Sequence, residues 1–184
     1  MSGPKVGAAN PLPAASGKVP VCLAMLAALA LLFIASAHHS PPLLIWNATA
    51  SVPIGLYRIE QTPPRVGDLV LVRLAGPIAA LAYQRAYLPR STYLLKPVSA
   101  VSGDRVCRFG SHILVRDRLT AIALASDTIG CTMPMWHGCR TLPPEELFLL
   151  AEHAASFDGR YFGPLSTQHV AGRAVHLWPR SLPQ

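Results

Sequence analysis

Lysine and arginine together number 16 in this chain of 184 residues, yet only Lys5, Lys18 and Lys96 are lysines. Lys96 is the single lysine beyond residue 18, and it sits in Tyr93-Leu94-Leu95-Lys96-Pro97-Val98, an apolar run. Burial lowers a lysine pKa far enough to leave a neutral amine, a usable general base, whereas an arginine stays charged. Read plainly, the same residue is a lysine whose stem runs along a strand while its head reaches water. A hydroxyl stands in Asn47-Ala48-Thr49-Ala50-Ser51-Val52-Pro53-Ile54-Gly55-Leu56-Tyr57, where Pro53 and Gly55 constrain the backbone beside Ser51; alone it reads as a turn serine. A third segment, Ser156-Phe157-Asp158-Gly159-Arg160-Tyr161-Phe162-Gly163-Pro164, is followed by Gly172-Arg173-Ala174 and by itself reads as a surface turn among aromatics. A serine within reach of a neutral amine can attack a carbonyl, the Ser-Lys form of the nucleophile and base pair. His153, near the third segment, is an alternative base.

The elements that must position these groups are mostly strands. Runs at 54–59, 68–74, 93–101, 105–109, 112–116, 147–152 and 172–178 read as β, separated by turn signals such as Thr62-Pro63-Pro64 and Ser102-Gly103-Asp104. Pro77–Leu88, opening on proline and rich in alanine and leucine, reads as a helix. Gly55 between apolar neighbours predicts a bend or a close backbone approach. Residues 19–37 carry no charge and match the roughly 20 residues a bilayer core requires. Lys5 and Lys18 precede them without an acid, so the positive-inside rule puts the N-terminus in the cytoplasm. The expected organisation is a cytoplasmic tail over 1–18, a transmembrane anchor over 19–37 and an extracytoplasmic domain over 38–184. Ala35-Ser36-Ala37 has the form of a cleavage site, but the apolar stretch exceeds the roughly 7–15 residues of a signal h-region.

Composition excludes several classes. A chain 51% hydrophobic and 14% charged is not disordered, and its length suits a single soluble domain beyond the anchor. The formal charge of +7 comes from scattered arginines with no run or stripe to track phosphates, so no nucleic-acid partner is expected. Cys22 lies in the apolar segment; Cys107, Cys131 and Cys139 lie beyond it, where an oxidising compartment permits one internal bridge. The favoured pairing is Cys107–Cys139, tying the strand near 104–108 to the loop Trp136–Arg140. No paired CxxC motif is present and the seven histidines are dispersed, so neither metal nor other cofactor is expected, nor thiol redox chemistry. The Asn47-Ala48-Thr49 sequon matters only in a eukaryotic secretory route.

Taken together, the three segments resemble the type I signal peptidase family of serine proteases, most closely its conjugative-transfer, TraF-type branch. Ser51-Val52-Pro53-Ile54-Gly55-Leu56-Tyr57 is similar to the family's serine box beyond the anchor, Lys96 through Asp104 to its lysine box, and Asp158–Pro164 to its late box. Ser102 and Gly159 depart from the usual proline and serine of those boxes. The resemblance implies a mainly β domain, a coiled sheet or barrel with one or two short helices, preceded by one transmembrane helix. It implies Ser51 as nucleophile, Lys96 as base, Thr49 and the Ser51 N–H as oxyanion donors, and Ser156, Asp158 and Arg160 as residues supporting the pair. It further implies an exported or pilin precursor as substrate, the bacterial inner membrane as location and the lipid bilayer as a partner; nothing bears on oligomeric state. The acyl-enzyme is released by water or, in the conjugative branch, captured by the substrate's own amino terminus to cyclise a pilin. A catalytically idle envelope scaffold for a pilus or secretion apparatus is the alternative.

Overall fold

A computed structural model describes residues 18–37, 41–49, 51–90 and 92–178. The chain divides into two units, Met1–Ser40 and Pro41–Gln184. In the first, helix α1 (Lys18–Ala37) covers the uncharged run, and its described side chains, residues 19–31, are all exposed. Among the described residues no helix is long and apolar enough to cross a membrane. The expected tail, apart from Lys18, lies outside the described residues.

The second unit is mainly β. In chain order its strands are β1 (Leu44–Asn47), β2 (Gly55–Glu60), β3 (Leu69–Val72), β4 (Leu94–Ala100), β5 (Arg105–Phe109), β6 (His112–Val115), β7 (Arg118–Ile122), β8 (Gly138–Thr141), β9 (Glu146–Leu149), β10 (Leu165–Ser166) and β11 (Val170–Trp178). Helices α2 (Gly76–Gln84) and α3 (Gly159–Phe162) interrupt them. The strands form two antiparallel sheets, one ordered β1-β2-β11-β3-β4-β9-β10 and the other β7-β6-β5-β8.

Strand β9 joins the two cores. Side chains alternate across a strand, so Leu147 and Leu149 enter a cluster with Val70, Val72, Leu94 and Val98, while Phe148 enters another with Val106, Ile113, Val115 and Tyr161. Coverage on both faces explains why Leu147-Phe148-Leu149-Leu150 is continuously apolar rather than alternating. A third cluster, with Val52, Tyr57, Leu71 and Leu95, packs beneath the β1–β2 hairpin.

Three expectations need correction. The helix expected over Pro77–Leu88 stops at Gln84, although a proline does occupy its first turn. Beyond it Ala86 takes φ 54°, because Arg85 reaches the Thr132 carbonyl and the Tyr87 hydroxyl reaches Asp127, and these contacts draw the chain off the helical path. The loop expected over Trp136–Arg140 is in part strand β8, paired to β5 with Cys107 opposite Cys139. The segment read as a surface turn is interior: Ser156, Asp158, Gly159, Arg160 and Tyr161 are all buried. Strands β1, β7, β8 and β10 were not anticipated; β7 and β8 are almost wholly exposed edges with little hydrophobic alternation.

Candidate active site

Ser51 lies in the connection between β1 and β2, which closes where Asn47 pairs with Gly55. The turn is wired by the buried Asn47 side chain. Its amide nitrogen donates to the carbonyls of Thr49, Val52 and Pro53 at 2.8, 3.1 and 3.0 Å, and its oxygen accepts the Thr49 N–H and hydroxyl at 3.2 and 2.9 Å. From below, the fully buried Tyr57 donates its hydroxyl to the Pro53 carbonyl at 2.6 Å, and burial raises that phenol's pKa. Gly55 has φ +153°, a conformation side chains resist, which is the bend its neighbours predicted. Ser51 is half-buried, its oxygen 3.3 Å from that of Thr49.

Lys96 occupies the middle of β4, opposite Val70 of β3, on the face it shares with Leu94 and Val98. It is 5% exposed, and its amine donates to the Ser156 hydroxyl at 2.5 Å. Burial pushes its pKa below the ordinary lysine range; Asp158 pulls the other way and Arg160 adds to the depression. Ser51 and Lys96 line one cavity of about 780 Å³, together with Thr49 and Ser156. No hydrogen bond joins Ser51 to Lys96 among the described residues.

Beneath Ser156 lies a buried ion pair. Arg160 and Asp158, 2% and 0% exposed, approach to 3.3 Å. The guanidinium donates to the carbonyls of Ala151, His153 and Ala154, the stretch that leads into Ser156. The carboxylate accepts the N–H groups of Ala151 and Arg160, at 2.9 and 3.0 Å, and so caps α3. Burial raises the Asp158 pKa, against the pull of Arg160 and of those two backbone donors. Gly159 is required by contact: a Cβ there would fall 2.6 Å from the Leu149 carbonyl and 2.8 Å from the Phe148 ring. His153 also borders the cavity, but its ring accepts the Ala155 N–H at 3.3 Å and stays exposed.

Residues 18–178 match the model of the family described as signal peptidase, peptidase S26. The chain belongs to that family. Curated relatives include the conjugal transfer protein TraF of Agrobacterium tumefaciens strain 15955, 37% identical over 131 residues, covering 65% of this chain and 73% of the relative. The plasmid transfer protein TraF of Escherichia coli is 30% identical over 149 residues, covering 72% and 82%. The crystal structure of a signal peptidase I from Enterococcus faecalis V583 shares 14% identity, covering 62% of this chain and 98% of that one. The TM-score between the two is 0.36.

Of the residues singled out in this S26 chain from its sequence, Thr49, Ser51, Lys96 and Ser156 come together at one cavity, and Asp158 and Arg160 stand directly behind it. Cys107 and Cys139 lie apart, in the second sheet, as a disulfide with an S–S distance of 2.02 Å; Cys131 is free. Sequence reasoning missed two groups. Asn47 was set aside as part of a sequon, although an Asn two residues before a Thr in a Pro/Gly-bounded segment is an Asx-turn signal. The far wall of the cavity carries Tyr87 bonded to Asp127, with Arg85 3.9 Å from the same carboxylate. Nothing in the local sequence pairs residues 40 apart, so that contact had no signal to read.

Proposed function

We propose that this S26 member is a membrane-anchored serine endopeptidase of the signal peptidase type. Ser51 is the nucleophile and Lys96 the general base. The observation that supports this most is the buried Lys96 amine, its pKa lowered by desolvation, bonded to Ser156 in the cavity that Ser51 also borders. A neutral amine can accept a proton at the pH of an extracytoplasmic compartment, which an ordinary lysine cannot.

In the proposed reaction the Ser51 oxygen attacks the scissile carbonyl carbon while its proton passes to the Lys96 nitrogen. The carbonyl oxygen becomes an oxyanion, held by the Ser51 N–H and the Thr49 hydroxyl. As the tetrahedral centre collapses, the C–N bond breaks and the Lys96 ammonium returns its proton to the departing amine. Lys96, neutral again, takes a proton from water as the water oxygen attacks the acyl ester; when this second tetrahedral centre collapses, the ester C–O bond breaks and Lys96 gives that proton to the Ser51 oxygen, restoring both groups. Ser156 aims the amine, and the Asp158–Arg160 pair fixes the backbone that carries Ser156. The contact between Ser51 and Lys96 tightens only with substrate in place, as catalytic hydrogen bonds often do.

The apolar run 19–37 anchors the chain in the bacterial inner membrane with its N-terminus cytoplasmic, and Ser51 follows it by about fourteen residues. The substrate is an exported precursor cut after a small residue; kinship with proteins named for conjugal and plasmid transfer favours a pilin precursor.

The test is cleavage of such a precursor, in membranes or detergent, by the wild-type chain and by Ser51→Ala, with product ends read by mass spectrometry. A product lost with Ser51 is the expected result, and a free or a joined amino terminus distinguishes hydrolysis from cyclisation. Equal cleavage by both chains would overturn the reading, and no cleavage by either, of a precursor that an active signal peptidase cuts, would favour an idle scaffold.

A further inference from the structure

Asn47 spends every polar atom of its side chain inside the turn that carries Ser51. It is 8% exposed, so water does not replace these bonds. Two amide hydrogens serve three carbonyls, those of Thr49, Val52 and Pro53, so one hydrogen is shared. The three acceptors flank Ser51 on both sides and fix the backbone on which its side chain stands. The amide oxygen accepts only, which settles the direction of the next bond: the Thr49 hydroxyl gives its one hydrogen to Asn47 at 2.9 Å. The Thr49 oxygen therefore turns its lone pairs toward Ser51, 3.3 Å away, and across that contact the Ser51 hydroxyl is the donor.

We infer that Asn47 is a positioning residue for the reaction, acting through Thr49. In the resting site Asn47 holds the Thr49 hydrogen, and Thr49 in turn holds the Ser51 hydroxyl in one rotamer. When Ser51 gives its proton to Lys96 and an oxyanion forms, the Thr49 hydroxyl turns from the Asn47 oxygen to the oxyanion. That bond exchanges one acceptor for a more strongly charged one and breaks no covalent bond. The inference rests on the proposed peptidase reading, because a positioning role has meaning only if Ser51 attacks.

The experiment is a double-mutant cycle on the full-length chain in detergent, with Asn47→Ala, Thr49→Val and the double variant assayed for kcat and KM on a precursor peptide. Asn47→Ala is expected to lower kcat by roughly tenfold or more with KM within about threefold, as an interaction that sharpens toward the transition state does. In the Thr49→Val background the same change should cost less than about threefold, since the hydroxyl it positions is gone. In the Thr49→Ser background, which restores a hydroxyl, the full loss should return. If the two losses multiply independently, or if Asn47→Ala raises KM alone, Asn47 serves the turn's stability only and the inference fails. Should Asn47→Ala not fold, Asn47→Leu, which keeps the branched four-atom side chain without its polar atoms, carries the same cycle. Ser51→Ala in the same assay separates the two failures: an active Ser51→Ala chain sinks the peptidase reading, whereas a dead one with multiplying losses sinks this inference alone.

Discussion

The two halves of the candidate site are built on opposite terms. The Ser51 turn is half-open and held by neutral hydrogen bonds, all made within a few residues along the chain. The Lys96 half is closed, drawn from segments 60 residues apart, and underpinned by a buried ion pair. The difference matches the roles proposed for the two groups. A nucleophile has to be reached by a large substrate, so its support must be local. A lysine that is to lose its proton has to be kept from water, so its support must come from the core.

Breaking the closed half should have the largest effect. Lys96→Arg keeps the charge but removes a base able to be neutral, and cleavage should be abolished; substantial turnover would remove Lys96 from the mechanism. Arg160→Leu leaves the Asp158 carboxylate buried without its partner, a change worth about 3–5 kcal/mol of stability, checked by chemical denaturation of the full chain. If some of that variant folds, loss of the Arg160 charge raises the Lys96 pKa, so the acid limb of its activity profile should move to higher pH.

Breaking the open half should cost less. Thr49→Val should lower kcat by roughly 10²–10³ if its hydroxyl is an oxyanion donor, with little change in thermal stability; an unchanged rate would give that role to another group. The smallest effect on cleavage should come from the second sheet, where replacing Cys107 and Cys139 with serine should cost roughly 2–4 kcal/mol of stability while kcat stays within about twofold. Lys96→Met would sharpen the contrast in the other direction. Because the folded-state Lys96 pKa lies below its unfolded value, protonation favours the unfolded chain until the pH exceeds both. Removing the amine should therefore raise the melting temperature at neutral pH while abolishing activity, and an unchanged or lower melting temperature would contradict the burial argument.

Legibility in the sequence follows the same division. Lys96 stood out because a lone lysine in an apolar run conflicts with its surroundings, and Pro53 with Gly55 marked the Ser51 turn. The interior of the late segment was hidden, because Asp158 and Arg160 are surface residues by type and only the ion pair between them makes burial tolerable. Gly159 looked like a departure from a pattern and proved to be set by the Leu149 carbonyl and the Phe148 ring against it, a contact that only the fold creates. Strands β7 and β8 were missed for the opposite reason: as exposed edges they bury too little to impose a period of two.

The most direct test of the central claim, that Lys96 acts as a neutral buried base for Ser51, is the pH dependence of kcat/KM for precursor cleavage by the full-length chain. The rate should rise with pH as the amine loses its proton, with its acid limb below the ordinary lysine range because burial disfavours the charged amine. An acid limb that stays at that ordinary lysine value, or one that persists unchanged in Lys96→Arg, would contradict the account.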